Sequence, residues 1–183
     1  MKLRYFLVTV GLAALAAPTG AAVTVLGNSF ARTCYTAALS RFGSTEAIDD
    51  CDQALRDENL SAFDLVATHV NRGILKLRKG AVDEAIGDFD RAIALNPEEA
   101  EAYLNKGMAM LRLPDGQVQA VGLFDTALVK KTRKPAIAYY GRAVANELNG
   151  RIGDAYRDYR QASLIEPKWR EPKTELARFT VRR

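Results

Sequence analysis

Two asparagine–arginine pairs recur in the chain with the same internal spacing. Asn71 precedes Arg78 by seven residues, and Asn105 precedes Arg112 by the same interval, which places both members of a pair on one face of a helix. An asparagine amide can donate to and accept from the backbone of an extended peptide, and an arginine can hold a carboxylate through two parallel hydrogen bonds. The spacing therefore favours a polar ladder for peptide recognition. The alternative is that these side chains are simply tolerated on a helix surface.

Residues suited to catalysis or metal binding are scarce. His69 is the only histidine, and we expect it at a packing position. The sequence contains no HExxH or GxSxG motif and no glycine-rich phosphate loop, which are the common signatures of hydrolytic and nucleotide-binding sites. Two cysteines with one distant histidine are too few for a structural zinc site. We therefore expect no enzyme, no metal and no cofactor.

The helices that must position these side chains carry a repeated pattern. Residues 66–97 contain Gly73 and end at Pro97, and their second half has the form small–x3–aromatic–x2–small. This form occurs at Ala85, Phe89 and Ala92, at Ala120, Phe124 and Ala127, and at Ala155, Tyr159 and Ala162, with a divergent copy at Ala47, Cys51 and Ala54. The pattern resembles the tetratricopeptide repeat (TPR), a two-helix unit of about 34 residues in which small side chains let the helices approach closely.

The resemblance implies an all-α fold, a TPR solenoid in which antiparallel helix pairs form a right-handed superhelix. Four repeats are expected, at about residues 28–59, 66–99, 100–135 and 136–167. Residues 168–183 lack a second helix and are expected to form a closing helix. In that helix Trp169, Leu176 and Phe179 would cover the apolar face of the last repeat.

The resemblance also implies that a protein or peptide binds in a concave groove lined by the first helix of each repeat. The predicted groove consists of Asn71, Ile74, Arg78, Asn105, Met108, Arg112, Tyr140 and Val144. The family's carboxylate clamp for acidic chaperone tails is not expected, because Glu101 and Asn105 stand where that clamp has basic residues. We hypothesise a scaffold or adaptor that binds a segment or helix of a partner. The alternative is a structural, self-associating assembly factor that acts through its outer face.

The two cysteines, Cys34 and Cys51, fall within the first repeat. Cys51 takes the place that Phe89 has in the second repeat, and Cys34 lies near the centre of the preceding helix. In the family these positions face each other across the helix pair, so the resemblance implies a Cys34–Cys51 disulfide. The alternative is a pair of buried free thiols that pack as small hydrophobic side chains.

Acidic and basic residues are mixed along the chain, and only residues 168–183 are locally basic. The formal net charge is +4, and acidic residues are interleaved with basic ones in every repeat. This distribution argues against a nucleic-acid-binding face, which would concentrate lysine and arginine. The aspartates near the aromatic positions, including Asp88, Asp90 and Asp158, are expected on solvated helix faces.

Residues 1–22 are predicted to be a signal peptide. Lys2 and Arg4 precede an apolar run over residues 6–17, and Gly20 and Ala22 supply small residues for cleavage before Val23. The run is shorter than the roughly 20 residues that span a bilayer, so we expect no stable membrane span after cleavage. A bacterial protein of this kind would be periplasmic or secreted. The alternative is an uncleaved N-terminal segment that anchors the protein to a membrane.

Overall fold

Stacked helix pairs form most of the structure. The computed structural model describes residues 3–5, 20–25, 29–40 and 46–181. Within those residues the helices are α1 (Phe30–Leu39), α2 (Glu46–Asp57), α3 (Ala62–Arg78), α4 (Val82–Leu95), α5 (Ala100–Met110), α6 (Gln117–Val129), α7 (Pro135–Leu148), α8 (Ile152–Ile165) and α9 (Glu171–Leu176). Helices α1 to α8 pair in sequence as four helical hairpins, and each hairpin packs on the next. The expected all-α solenoid is confirmed.

Local sequence signals explain where several helices begin and end. Ser29 caps α1 by accepting a hydrogen bond from the Arg32 amide, and Ser61 caps α3 in the same way through the amide of Asp64. The turns after α3 and α7 place Gly80 and Gly150 at φ values of 85° and 72°. These are left-handed conformations that glycine adopts without a steric penalty.

Close approach within the hairpins depends on small residues opposite aromatic rings. A Cβ atom added at Gly73 would lie 2.5 Å from Cε1 of Phe89, and one at Gly107 would lie 2.9 Å from the same atom of Phe124. Each ring therefore fits directly against the backbone of the first helix. In the first hairpin Cys51 replaces the ring, and its sulfur lies at disulfide distance from that of Cys34, with the two Cα atoms 5.0 Å apart.

Ion pairs link successive hairpins. Arg72 on α3 donates to Asp52 on α2 (2.6 Å) and to Asp88 on α4 (2.9 Å to Oδ2). Lys106 on α5 pairs with Asp90 on α4 at 2.5 Å. One cation per hairpin therefore contacts the acidic side chain of the preceding hairpin.

The same arrangement returns in the fourth hairpin, where Arg142 on α7 pairs with Asp125 on α6 and with Asp158 on α8. The expectation that Asp88 and Asp158 are solvated is therefore wrong, because these side chains are only 4% and 6% exposed. Each lies one position before a ring that packs into the hairpin, so it faces the arginine of the first helix rather than solvent.

The C-terminal end departs from the predicted closing helix over residues 168–183. Helix α9 is only six residues long, and the chain then forms strand β2 (Phe179–Val181), which pairs antiparallel with β1 (Leu3–Tyr5). Pro172 lies in the first turn of α9 and is buried. Aromatic side chains nonetheless cover the fourth hairpin. The ring centroid of Trp169 lies 4.9 Å from that of Tyr140, and the ring centroid of Phe179 lies 6.0 Å from that of Tyr159. Phe179 makes this contact from strand β2, whereas the sequence predicted that it would do so from a helix.

Most of the predicted signal peptide lies outside the described residues. Of residues 1–22, the structure describes the β1 backbone and residues 20–22. Among the described helices, none has the length and apolar character needed to cross a membrane.

Replacing Asp88 with asparagine is expected to lower the free energy of unfolding by about 3 kcal/mol at neutral pH, because it leaves buried cations without their counter-charge. Burial alone would raise the pKa of Asp88, but hydrogen bonds from His69, Arg72 and Lys76 outweigh it and lower the pKa from 3.8 to about 2. A depressed carboxylate pKa stabilises the fold above about pH 4, and this contribution is lost as pH falls from about 4 towards 2.

Urea unfolding of wild type and Asp88→Asn across this pH range tests the account. The difference in the free energy of unfolding between the two proteins should shrink as pH falls below 4. Asp83→Asn is the matched control, since Asp83 is an exposed residue of the same helix. Equal destabilisation by the two substitutions, or a difference that is independent of pH, would contradict the assignment.

Candidate peptide-binding groove

Residues 20–25 lie against the first helices of the first three hairpins. This internal segment contacts α3 and α5 through hydrogen bonds from Asn71 and Asn105, and its end contacts Arg32 on α1. The concave side that the sequence predicts as a ligand groove is therefore occupied here by residues of the same chain.

Asn71 makes the central contact with the internal segment. Its Nδ2 donates to the carbonyl oxygen of Val23 at 2.8 Å, and its Oδ1 accepts from the backbone N–H of Val23 at 2.9 Å. A single side-chain amide thus pairs both polar backbone groups of one residue, as a neighbouring β-strand would. Because Asn71 is fully buried, an unpaired amide at this position would cost about 1–3 kcal/mol.

Two further side chains extend this ladder at every second residue. The Asn105 Nδ2 donates to the Ala21 carbonyl at 3.3 Å while also donating to the Glu101 carbonyl of its own helix at 2.8 Å. The Arg32 Nη1 donates to the Val25 carbonyl at 2.7 Å. The carbonyls of residues 21, 23 and 25 are thus each held by a different hairpin. The contact with Asn105 is the longest of the three.

Side chains of the internal segment alternate between buried and partly exposed. Ala21, Val23 and Val25 are 3%, 1% and 1% exposed, whereas Ala22 and Thr24 are half-buried. This is the period of an extended strand with one face covered. Val23 and Val25 belong to the apolar cluster of the first two hairpins, and Ala21 belongs to the cluster of the third.

Five of the predicted groove residues line the space that remains beside the internal segment. Ile74, Arg78, Asn105, Met108 and Arg112 surround Gly20 and Ala21 together with Leu77, Leu104 and Ile137. The cavity has a volume of about 30 Å³, which is room for roughly two waters.

The two predicted groove arginines are engaged with neighbouring helices. Arg78 donates to the carbonyls of Ala38 (2.6 Å) and Ser40 (2.7 Å) at the C-terminal end of α1, and Arg112 donates to the Leu77 carbonyl at 2.5 Å near the end of α3. A cation at this end of a helix is favoured by the helix dipole. Burial lowers the pKa of both guanidinium groups. Their role in holding a ligand carboxylate stays a prediction.

Tyr140 and Val144 do not line the cavity beside the internal segment. Tyr140 is buried edge-on against Tyr159, with ring centroids 5.5 Å apart, and Val144 packs in the same C-terminal cluster. Burial, followed by the charges of Glu175 and Glu171, raises the pKa of Tyr140 to about 12. These two side chains therefore pack in the cluster that covers the fourth hairpin.

His69 lies in the ion-pair cluster, with Nδ1 at 3.3 Å from Oδ1 of Asp88. Among the described residues there is no group of three or more histidine, cysteine, aspartate or glutamate side chains that could hold a metal ion.

Substituting Asn71 with alanine is expected to release the internal segment. In the chain that retains residues 1–22, hydrogen exchange of the Val23 amide should accelerate at least tenfold, because its acceptor is removed and the loss of about 1–3 kcal/mol favours local opening. Asn105→Ala should accelerate exchange less, since its contact is longer and shared with its own helix. Asn59→Ala, in an exposed connection, serves as the control. A Val23 amide that exchanges equally fast in all these variants would contradict the described contact.

Comparisons with known proteins agree with this architecture. Residues 70–135 match the family model described as tetratricopeptide repeat. Serine/threonine-protein phosphatase 5 of Rattus norvegicus is 32% identical over 92 residues, a match that covers 50% of this chain and 18% of the phosphatase. The chain therefore spans less than a fifth of that relative.

Solved structures show the same arrangement of helix pairs. The Arabidopsis OM64 TPR domain is 25% identical with a TM-score of 0.61, covering 64% of this chain and 96% of that domain. The first TPR domain of Spaghetti (RPAP3) bound to the HSP90 peptide SRMEEVD is 23% identical with a TM-score of 0.58, covering 62% and 88%. MamA is 20% identical with a TM-score of 0.65, covering 82% of both chains. Hairpin packing and structural neighbours together show that the chain has the fold of a tetratricopeptide repeat solenoid.

Proposed function

We propose that this protein is a non-enzymatic adaptor whose groove binds an extended segment of a partner protein. The observation that carries the proposal is the pair of hydrogen bonds from Asn71 to the backbone of Val23. They support the proposal because they hold the backbone of a segment of this chain against the predicted groove.

The groove is suited to a ligand without acidic side chains. The RPAP3 domain binds an HSP90 peptide, SRMEEVD, which carries three acidic residues. In the groove described here Glu101 is buried and accepts hydrogen bonds from the Thr132 hydroxyl and the Arg133 amide, and Asn105 faces Ala21. Arg78 and Arg112 are occupied by helix carbonyls. These contacts direct donors of both guanidinium groups at helix carbonyls, so we infer a backbone-directed mode of binding.

Modest affinity is expected from this mode. A few neutral hydrogen bonds each contribute about 1 kcal/mol, and ordering a flexible segment opposes binding. Micromolar affinity, about −8 kcal/mol, is consistent with an adaptor that exchanges partners.

Photo-crosslinking in intact cells tests the proposed function. A photoreactive residue at Met108, which lines the cavity beside the internal segment, should capture one partner protein. The matched position is Gly87, an exposed site on α4 where an added side chain meets no neighbour within 4 Å. It should not capture that partner. Capture only of further copies of this chain, or equal capture from both positions, would instead support the alternative of self-association through the outer face.

We further propose that the protein is exported to the periplasm or secreted, that residues 1–22 are removed, and that Cys34 and Cys51 form a disulfide. The signal-like sequence supports export, and the approach of the two sulfur atoms across α1 and α2 supports the bond. In an oxidising compartment such a pair usually oxidises.

Export and disulfide formation are tested on protein recovered from the cell envelope. Its mass should correspond to a chain that begins at Val23, and after denaturation without reductant it should show no thiol that reacts with maleimide. Cys34→Ser should lower the free energy of unfolding by about 3 kcal/mol, and the double variant with Cys51→Ser should be no less stable than either single variant. Two reactive thiols in the exported protein would contradict the disulfide. An intact N-terminus would favour the membrane-anchored alternative.

A further inference from the structure

The internal segment indicates which ligands the groove accepts. We propose, on the basis of the function proposed above, that residues 20–25 are an internal ligand of the uncleaved chain and that the groove selects extended segments with small or β-branched apolar side chains at every second position. Cleavage before Val23 would remove Gly20 and Ala21 from the groove. A partner of this class must displace the internal segment to bind.

The first argument is the match between the ladder and the alternation of side chains. The carbonyls of residues 21, 23 and 25 accept hydrogen bonds from Asn105, Asn71 and Arg32, and the side chains of the same three residues are buried. A shift by one residue would move Ala22 and Thr24 into those buried places. The groove thus specifies the register of the segment, which makes a tight turn at Ala21, where the Ala22 amide donates to the Gly20 carbonyl at 2.8 Å.

The second argument is the size and polarity of the buried positions. Val23 and Val25 pack in a cluster with Ala31, Val70 and Ile74, and Ala21 packs with Leu104 and Ile137. At the Val23 and Val25 positions a charged side chain would lose its hydration among these apolar neighbours.

A third restriction applies at Gly20. A Cβ atom there would lie 2.9 Å from Oδ1 of Asn105 and 3.0 Å from Cγ1 and Cγ2 of Ile74. Because the Asn105 amide is anchored to its own helix through Glu101, it has little freedom to move away. The ligand class therefore favours glycine three residues before the residue that pairs with Asn71.

The fourth argument is that the internal segment already occupies the Asn71 amide. The cavity next to Gly20 and Ala21 has a volume of about 30 Å³. Both polar atoms of the Asn71 side-chain amide already form hydrogen bonds with the Val23 backbone. A partner must therefore compete for the same hydrogen bonds.

Binding of a synthetic peptide to the full-length chain tests this proposal. The probe is a fluorescein-labelled hexapeptide with the sequence of residues 20–25, blocked at its C-terminus so that it carries no terminal charge there. Val23→Asp should expel the internal segment, because it places a carboxylate at a buried apolar position. Thr24→Asp is the matched control with the same charge one residue away, at a half-buried position beside the Tyr35 hydroxyl. Fluorescence anisotropy should show at least tenfold tighter binding to Val23→Asp than to wild type or to Thr24→Asp.

Register is tested with two altered probes on the Val23→Asp chain. Aspartate in place of the fourth probe residue should abolish binding, whereas aspartate in place of the fifth should leave it within about twofold. Equal binding of the unaltered probe to all three chains would overturn displacement of the internal segment. Equal tolerance of aspartate at both probe positions would overturn the alternating pattern.

Hydrogen exchange on the uncleaved wild-type chain keeps the proposal testable if Val23→Asp does not fold. Excess probe should accelerate exchange of the Val23 amide in the protein at least threefold, and no acceleration would overturn displacement. Failure of this inference is distinct from failure of the proposed function. If the probe does not bind but Met108 still captures a partner in cells, the groove binds a different class of segment. If Met108 captures no partner, groove binding itself is contradicted.

Discussion

The hydrogen bonds between the Asn71 amide and the Val23 backbone are the interaction on which the groove depends. A buried amide must be paired, and Asn71 is buried on the first helix of the second hairpin, where the Val23 backbone reaches both of its polar atoms. This requirement fixes the direction and register of the bound segment. The apolar clusters on either side then determine which side chains fit.

The rest of the solenoid keeps this amide in place. Gly73 is two residues after Asn71 on the same helix and admits the Phe89 ring, which holds α3 and α4 in close contact. Arg72, the intervening residue, joins that hairpin to the preceding one through Asp52 and to its own second helix through Asp88. Three consecutive residues therefore bind the segment, link the hairpins and pack the core, so the groove geometry is coupled directly to hairpin packing.

Much of this architecture could be predicted from the sequence. The spacing of small and aromatic residues predicted the helix pairs, and the repeat of asparagine and arginine pointed to the concave face where Asn71 and Asn105 lie. The burial of Asp88 could not be predicted in this way, because spacing alone does not show that an arginine one helix away faces it. Arg78 and Arg112 have long side chains that reach helix ends outside their own repeat. Helical periodicity gives the helix face of each arginine but does not give its hydrogen-bond partner on another helix.

The occupant of the groove was the least predictable feature. Residues 20–25 have no regular secondary structure of their own, and their position follows from contacts with residues 48 and 84 positions further along the chain. The alternation of Ala21, Val23 and Val25 is a strand-like signal that could have been noticed, but it lies where a signal-peptide cleavage region was expected. Strand β2 was missed for a similar reason, since Trp169, Leu176 and Phe179 also fit helical spacing.

The most direct test of groove recognition is an isotope-filtered NMR measurement on the chain bound to an unlabelled peptide of the proposed class. The account predicts nuclear Overhauser effects from the two side-chain amide protons of Asn71 to the backbone protons of the bound peptide, with loss of their effects to Val23. If those protons remain close to Val23 while the peptide is bound, the ligand lies elsewhere on the solenoid, and the groove assignment is contradicted.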